Sequence, residues 1–378
     1  MNPVPRRRTL RLAAATGGVA VLTAASLAVA TGAPAKPFIS RFATNSLIAS
    51  TVPTSGPAAG DVNPYGTAVV PTTIGDLRRG DVLVSNFNNA ANQQGTGSTI
   101  MEVSPHGTVH QFARIAPSTP GGVVGLTTAL VVLRSGFVIV GNLPAADGMS
   151  ANAEAGGLTV LDAHGSVVER ISGGPINGPW DATARDSGRH VVLFVTNVLN
   201  GTVAAGGGDV PRGTVVRITF HVPRHGIPRK TSERVIATGF VQHTDPNALV
   251  VGPTGVGLGA HGVLYVADTA GNRIAAIPDA VTRMRVLGGG GRTVSSGHNL
   301  MNPLGLMIAP NGHIVTTNGG DGNLVETTPG GRQVATTTLV PDGAGDLFGL
   351  ALAPSRRGIY YVNDAGTGPD ANSLELLH

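Results

Sequence analysis

One pattern recurs six times along this chain and limits what it can fold into. In the clearest copy, Pro253-Thr254-Gly255-Val256-Gly257-Leu258 leads to the turn Ala260-His261-Gly262. Leu264-Tyr265-Val266-Ala267-Asp268 follows, and then Gly271-Asn272-Arg273-Ile274. Short β-rich runs punctuated by Gly, Pro, Asn and Asp read as strands joined by tight turns. A Gly marks the first strand at Gly66, Gly125, Gly255, Gly305 and Gly349, and Asp181 takes that place in the third unit. The second strand ends at Asn86, Asn142, Asn197, Asp268, Asn318 and Asp364. The spacings along this second series are 56, 55, 71, 50 and 46 residues, and the long third unit carries a Gly- and Pro-rich insertion from about Asn200 to Lys230. Units of this size hold about four strands each.

Third and fourth strands follow as hairpins. Thr99-Ile100-Met101-Glu102-Val103 turns at Pro105-His106-Gly107, Leu158-Thr159-Val160-Leu161 at Ala163-His164-Gly165, and Leu324-Val325-Glu326-Thr327 at Pro329-Gly330-Gly331. In each, Gly occupies the turn position that needs positive φ. No stretch after residue 36 sustains a helical period. The sixth unit has only one strand candidate after Asp364, Ser373 to Leu377, while a spare candidate, Ser46 to Val52, precedes the first unit. An N-terminal strand that completes the last unit removes an exposed sheet edge. The predicted fold is all-β: a six-bladed β-propeller of four-stranded blades over residues 61–378, closed by a strand within 36–60.

Gly255 to Ile274, with its Leu-Tyr-Val-Ala-Asp-Thr-Ala-Gly-Asn-Arg-Ile ending, resembles an NHL repeat, and the neighbouring units are weaker copies. The resemblance implies a propeller, and the architecture is also similar to gluconolactonase-like and strictosidine-synthase-like six-bladed propellers. Such folds serve binding modules, lactonases and lyases alike, so the resemblance leaves activity open.

Residues 1–35 read as an export signal. Arg6, Arg7, Arg8 and Arg11 precede an uncharged apolar run from Leu12 to Ala30, followed by the small-residue sites Ala28-Val29-Ala30 and Ala33-Pro34-Ala35. This is the pattern of a cleaved leader, the alternative being a retained anchor. Arg7-Arg8-Thr9-Leu10 partly resembles a twin-arginine signal, so both export routes fit. The expected location is secreted or cell-envelope, with no transmembrane domain after cleavage. The chain has 26 basic and 22 acidic residues; removing the four leader arginines leaves 22 against 22. No basic run is left to follow a nucleic-acid backbone. The absence of Cys excludes disulfides, thiolate zinc sites and Cys nucleophiles.

In an up-and-down blade the second-strand ends and the loops between blades surround one mouth of the central channel. The turns carrying His106, His164, His261 and His313 fall on the other face. The expected ligand-binding residues at that mouth are Trp180, Asp181, Asn86, Asn142, Asn197, Asn318, Asp364 and Asn302. Asn and Asp at strand ends also shape turns by bonding nearby backbone. Asp181 stands out because five units place Gly where it sits, and the only Trp, Trp180, is beside it. His243 and His298 lie in loops leading to the same mouth. With Asp181 and Asp268 they form a candidate set for a divalent cation, Ca or Zn. No local spacing of His residues supports that set.

Two imitations fail. Gly255-Val256-Gly257-Leu258-Gly259-Ala260 is followed by a strand, not the helix a dinucleotide loop needs, and no G-x-S-x-G elbow occurs. The expected function is an exported module that binds a small molecule or protein at the channel mouth. The alternative is a metal-assisted hydrolase, lactonase-like enzyme or lyase at the same mouth, which needs at least three convergent acid or imidazole groups. A purely structural envelope module is the third reading.

Overall fold

The computed structural model describes Met1 and residues 36–378 other than 121, 355 and 366–370. The leader read in residues 1–35 therefore lies, apart from Met1, outside the described residues. Residues Lys36–His378 form one compact unit of six antiparallel sheets. Each sheet is a blade of four strands, and the third gains a short fifth, Leu249–Val251. The inner strands are Val62–Val69, Leu126–Val132, Pro179–Asp186, Pro253–Leu258, Pro303–Ile308 and Leu347–Leu352. Each touches the inner strand of the next blade, which makes a ring around a central channel.

Burial follows from this stacking. Second strands such as Val82–Asn88 and Leu264–Asp268 are buried at every residue, because a neighbouring blade covers each face. Outer strands such as Gln333–Thr338 are half exposed and rich in Thr. Five apolar clusters fill the joints between consecutive blades, and a sixth joins blade six to blade one and crosses the axis. All six of these clusters lie within residues 38–377.

The ring closes as the strand count demands. Asn45–Ser50 pairs antiparallel with Ser373–Leu377, with Asn45 opposite Leu377 and Ser50 opposite Ser373. The short 3-10 turn Ile39–Arg41 ahead of it is pinned to blade five, where the Ile39 N–H donates to Glu326 Oε2 at 2.9 Å.

Three sequence expectations need correction. Pro64, Leu126, Pro179, Pro253, Pro303 and Leu347 face Asn86, Asn142, Asn197, Asp268, Asn318 and Asn363 across the first strand pair. The sixth marker is therefore Asn363, with Asp364 one residue beyond. Two residues after each strand start lie Gly66, Thr128, Asp181, Gly255, Gly305 and Gly349, so blade two places Thr128 there and not Gly125. Gly125 belongs to the entry loop, where its φ is +65° and its N–H bonds Gly97. The third-unit insertion contains a strand: Val210–His221 runs through its middle and pairs with Arg229–Asp245 in the longest hairpin among the described residues.

Candidate functional site: the central channel

The residues two places into each inner strand decide how tightly the ring closes. A Cβ on Gly255, Gly305 or Gly349 would lie 2.4, 2.0 or 2.4 Å from the carbonyl oxygen of Leu304, Phe348 or Tyr65 in the next blade. Glycine is required because backbone meets backbone there. Hydroxyl groups then satisfy those carbonyls. Ser85 donates to Thr127 O at 2.9 Å, Thr196 to Thr254 O at 2.7 Å and Thr317 to Phe348 O at 3.2 Å. Where the second strand offers Gly141 or Ala267 instead, Thr128 donates to Trp180 O, and Thr254 to Leu304 O at 2.9 Å. The signal for this belt was the residue before each Asn or Asp marker, which sequence reasoning passed over.

One residue earlier, Tyr65, Trp180, Leu304 and Phe348 point toward the axis and are all buried. The Tyr65 ring stacks on Phe87 at 4.5 Å, on Trp180 at 5.6 Å and on Phe348 at 4.0 Å between centroids. Trp180 Nε1 donates to Val250 O at 2.9 Å, so the fifth strand of blade three is tied to this stack. The mouth surrounded by the second-strand ends is thus filled by aromatic rings. Its expected ligand groups serve the loops around the plug. Asn86 bonds Thr51 and Thr99, Asn142 accepts the Gly157 N–H, and Asn197 accepts those of Asn177 and Gly178. Asn318 donates to Asn299 O and Asp321, and Asn302 to Thr269 O. Asp364 lies beside Asp346, and burial, then that neighbouring carboxylate, push its carboxyl up to about 7.

Below the plug is a cavity of about 370 Å³ lined by all six inner strands. Its walls include the half-buried Val69, Val132, Leu258, Ile308 and Leu350, which lie toward the face carrying the strand-one to strand-two turns. Asp181 is the only titratable side chain among the lining residues. Its Oδ1 accepts the Ala182 N–H at 2.7 Å and its Oδ2 the Val256 N–H at 3.0 Å. The side chain is half-buried and lines the cavity. That loss of water raises its carboxyl to about 7, against the lowering pull of the two amides.

The four groups expected to hold a cation do not meet. Asp268 pairs with Arg273 Nε at 2.7 Å, and His243 Nδ1 with Asp209 at 3.0 Å. His298 lies beside Gln333 and Arg332 in a separate surface hollow. Among the described residues no three His, Asp or Glu side chains are placed to share a metal ion. At the channel itself Asp181 is the one acidic side chain among the described lining residues. Of the turn histidines, His164 Nδ1 lies 3.1 Å from the exposed Asp76, and His313 Nδ1 lies 2.6 Å from the buried Glu326. No helix among the described residues is long and apolar enough to cross a membrane.

No protein-family model matches the chain, and no curated protein matches its sequence. Solved structures do. A gluconolactonase from Xanthomonas campestris is 14% identical, with 88% of each chain covered and a TM-score of 0.51. A calcium-binding protein, regucalcin, from Agrobacterium tumefaciens is 13% identical over 89% of this chain and 93% of its own, TM-score 0.53. The PQQ-bound aldose sugar dehydrogenase of Streptomyces coelicolor is 15% identical over 89% and 98%, TM-score 0.53. At such identities the likeness is one of fold, and it agrees with the blade count. The chain is a six-bladed β-propeller.

Proposed function

We propose that this propeller is an exported module that binds a compact ligand in its central channel, with Asp181 as the polar anchor. One observation carries the reading: a single half-buried carboxylate stands in a cavity whose walls otherwise expose peptide groups, threonines and aliphatic side chains. The volume equals about a dozen water molecules at roughly 30 Å³ each. A ligand with an apolar body and one protonated amine fits that chemistry, because its charge offsets the burial of Asp181. The NHL-like unit supports a binding role. A lactonase-like or lyase mechanism is the second reading; there Asp181 would be the acid-base group, and no imidazole or second carboxyl lines the cavity beside it. The Arg-then-apolar N-terminus supports export. Mass spectrometry of secreted material should find a chain beginning after residue 35, and retention of Arg6 to Arg11 would contradict it.

The ligand reading is tested by calorimetric titration of residues 36–378 with short primary alkylamines and the matching alcohols, while the fluorescence of Trp180 is followed. Amines should bind at least about tenfold more tightly than alcohols, more strongly at pH 8 than at pH 6, and Asp181→Asn should remove that preference. Equal affinity for both series, or an unchanged preference in Asp181→Asn, would overturn it.

A further inference from the structure

Charge is not spread evenly over residues 36–378. The long hairpin of blade three carries Arg217, Arg224, Arg229, Lys230 and Arg234, and the loop 278–287 of blade four adds Arg283 and Arg285. The acids beside them are Glu233 and Asp279, with Arg212 and Asp245 at the open end of the hairpin, and fifteen basic against twenty acidic residues lie outside this cluster. The two segments are physically joined. Leu287 N–H donates to Ile236 O and Thr238 N–H to Leu287 O, both at 2.9 Å, so the loop lies along the outer strand of blade three.

The cations in this region are held by carbonyl oxygens. Arg217 Nη1 donates to Ala280 O at 2.9 Å and Val281 O at 2.7 Å, Arg234 to Met284 O at 3.2 Å, and Arg283 Nε to Pro278 O at 2.8 Å. Lys230 with Glu233 is the one ion pair in the patch among the described residues. Arg217 and Arg234 face each other in register. Burial and then the Arg234 charge lower the Arg217 pKa. Arg217 itself is buried, and the exposed Arg224, Arg229, Arg234 and Arg285 carry the positive field toward solvent.

Apolar side chains stand exposed among these cations. Met284 is 64% exposed, Val286 51% and Ile227 39%, and Arg285 sits between the first two in sequence. They occupy a turn and a loop, not a groove that could enclose a peptide. Alternating guanidinium and apolar groups suit a surface with phosphates outside and hydrocarbon just beneath.

We infer that the edge formed by the blade-three hairpin and the 278–287 loop docks this propeller on an anionic lipid surface, with Met284, Val286 and Ile227 entering the headgroup layer and the arginines meeting lipid phosphates. The inference is independent of what the channel binds.

Vesicle sedimentation tests it. Residues 36–378 are used, so that the apolar run from Leu12 to Ala30 cannot partition by itself. Vesicles of phosphatidylcholine alone are compared with an equal mixture of phosphatidylcholine and phosphatidylglycerol. Binding should appear only on the mixed vesicles and weaken with added salt. The pair Arg229→Glu with Arg285→Glu should lower partitioning at least about tenfold, and Met284→Ser with Val286→Ser several-fold, with melting temperatures unchanged. No binding, or equal binding to both vesicles, would overturn the inference. So would soluble polyglutamate competing fully while the Met284 and Val286 substitutions have no effect, since that pattern marks an acidic polymer partner.

Discussion

The Asp181 carboxylate in blade three accepts the Val256 amide of blade four at 3.0 Å, so the one acid in the channel also spans a joint between blades. Its two tasks separate with pH. The carboxyl titrates near 7 in the fold against an ordinary value of 3.8. A raised acid pKa means that its stabilising contribution is complete below the ordinary value and is lost as pH climbs through the folded one. Asp181→Asn should match or slightly trail the parent at pH 5, for want of one acceptor. At pH 8 it should be more stable by about 2 kcal/mol. Melting curves across that range check this. A difference that does not vary with pH would show that the carboxyl is not titrating there.

Tyr65 is the centre of the plug, touching Phe87, Trp180 and Phe348. Tyr65→Ala should cost about 3–5 kcal/mol, the range for removing a large buried aromatic. It should also open the channel from both ends. Acrylamide quenching of Trp180 should then rise in protein that is still folded, and unchanged quenching would count against the plug.

Deleting residues 36–52 removes the partner of Ser373–Leu377 and the buried Phe38 and Ile39. The loss should be several kcal/mol, a large share of a usual total of roughly 5–15 kcal/mol. A truncated chain that melts with the parent would disprove the closure argument.

The anchor at Glu326 should release in acid. Burial alone would raise this carboxyl. The N–H groups of Phe38 and Ile39, the Asn311 amide and the His313 ring outweigh burial and hold it below its ordinary 4.5. Its stabilising contribution is present above that value and is lost as pH falls through the lower folded one. The protection factor of the Ile39 amide, its exchange rate corrected for intrinsic pH dependence, should fall by about tenfold as pH drops through that lowered value. Glu326→Gln should already exchange quickly at pH 7. A protection factor unchanged across that drop would remove Glu326 from the anchoring role.

Blade number and ring closure were legible because each strand announces itself locally, through β-rich runs ended by Gly and Asn. The register was not. Gly125 and Asp364 look like markers, but their true counterparts, Thr128 and Asn363, emerge only once the partner strand fixes the alignment. The insertion near Asn200 to Lys230 is rich in Gly and Pro, yet pairing across the hairpin makes a strand of Val210–His221 within it. The candidate site was partly legible: Asp181 stood out as the exception in its series. The plug did not, because Tyr65 and Trp180 are 115 residues apart in the chain and only the ring geometry stacks them.

The pairing of Asn45 with Leu377 also bears on how the molecule is made. The first strand synthesised has no hydrogen-bonding partner until the last has appeared. Contacts this distant in sequence form slowly, because the closure entropy of nearly the whole chain must be overcome first. Any product cut short near its C-terminus leaves two unpaired edges, on blade six and on the waiting strand. The seam therefore works as a check on synthesis: only a chain that carries Ser373–Leu377 can cover the edge of Asn45–Ser50, and fragments that lack it stay open to proteolysis.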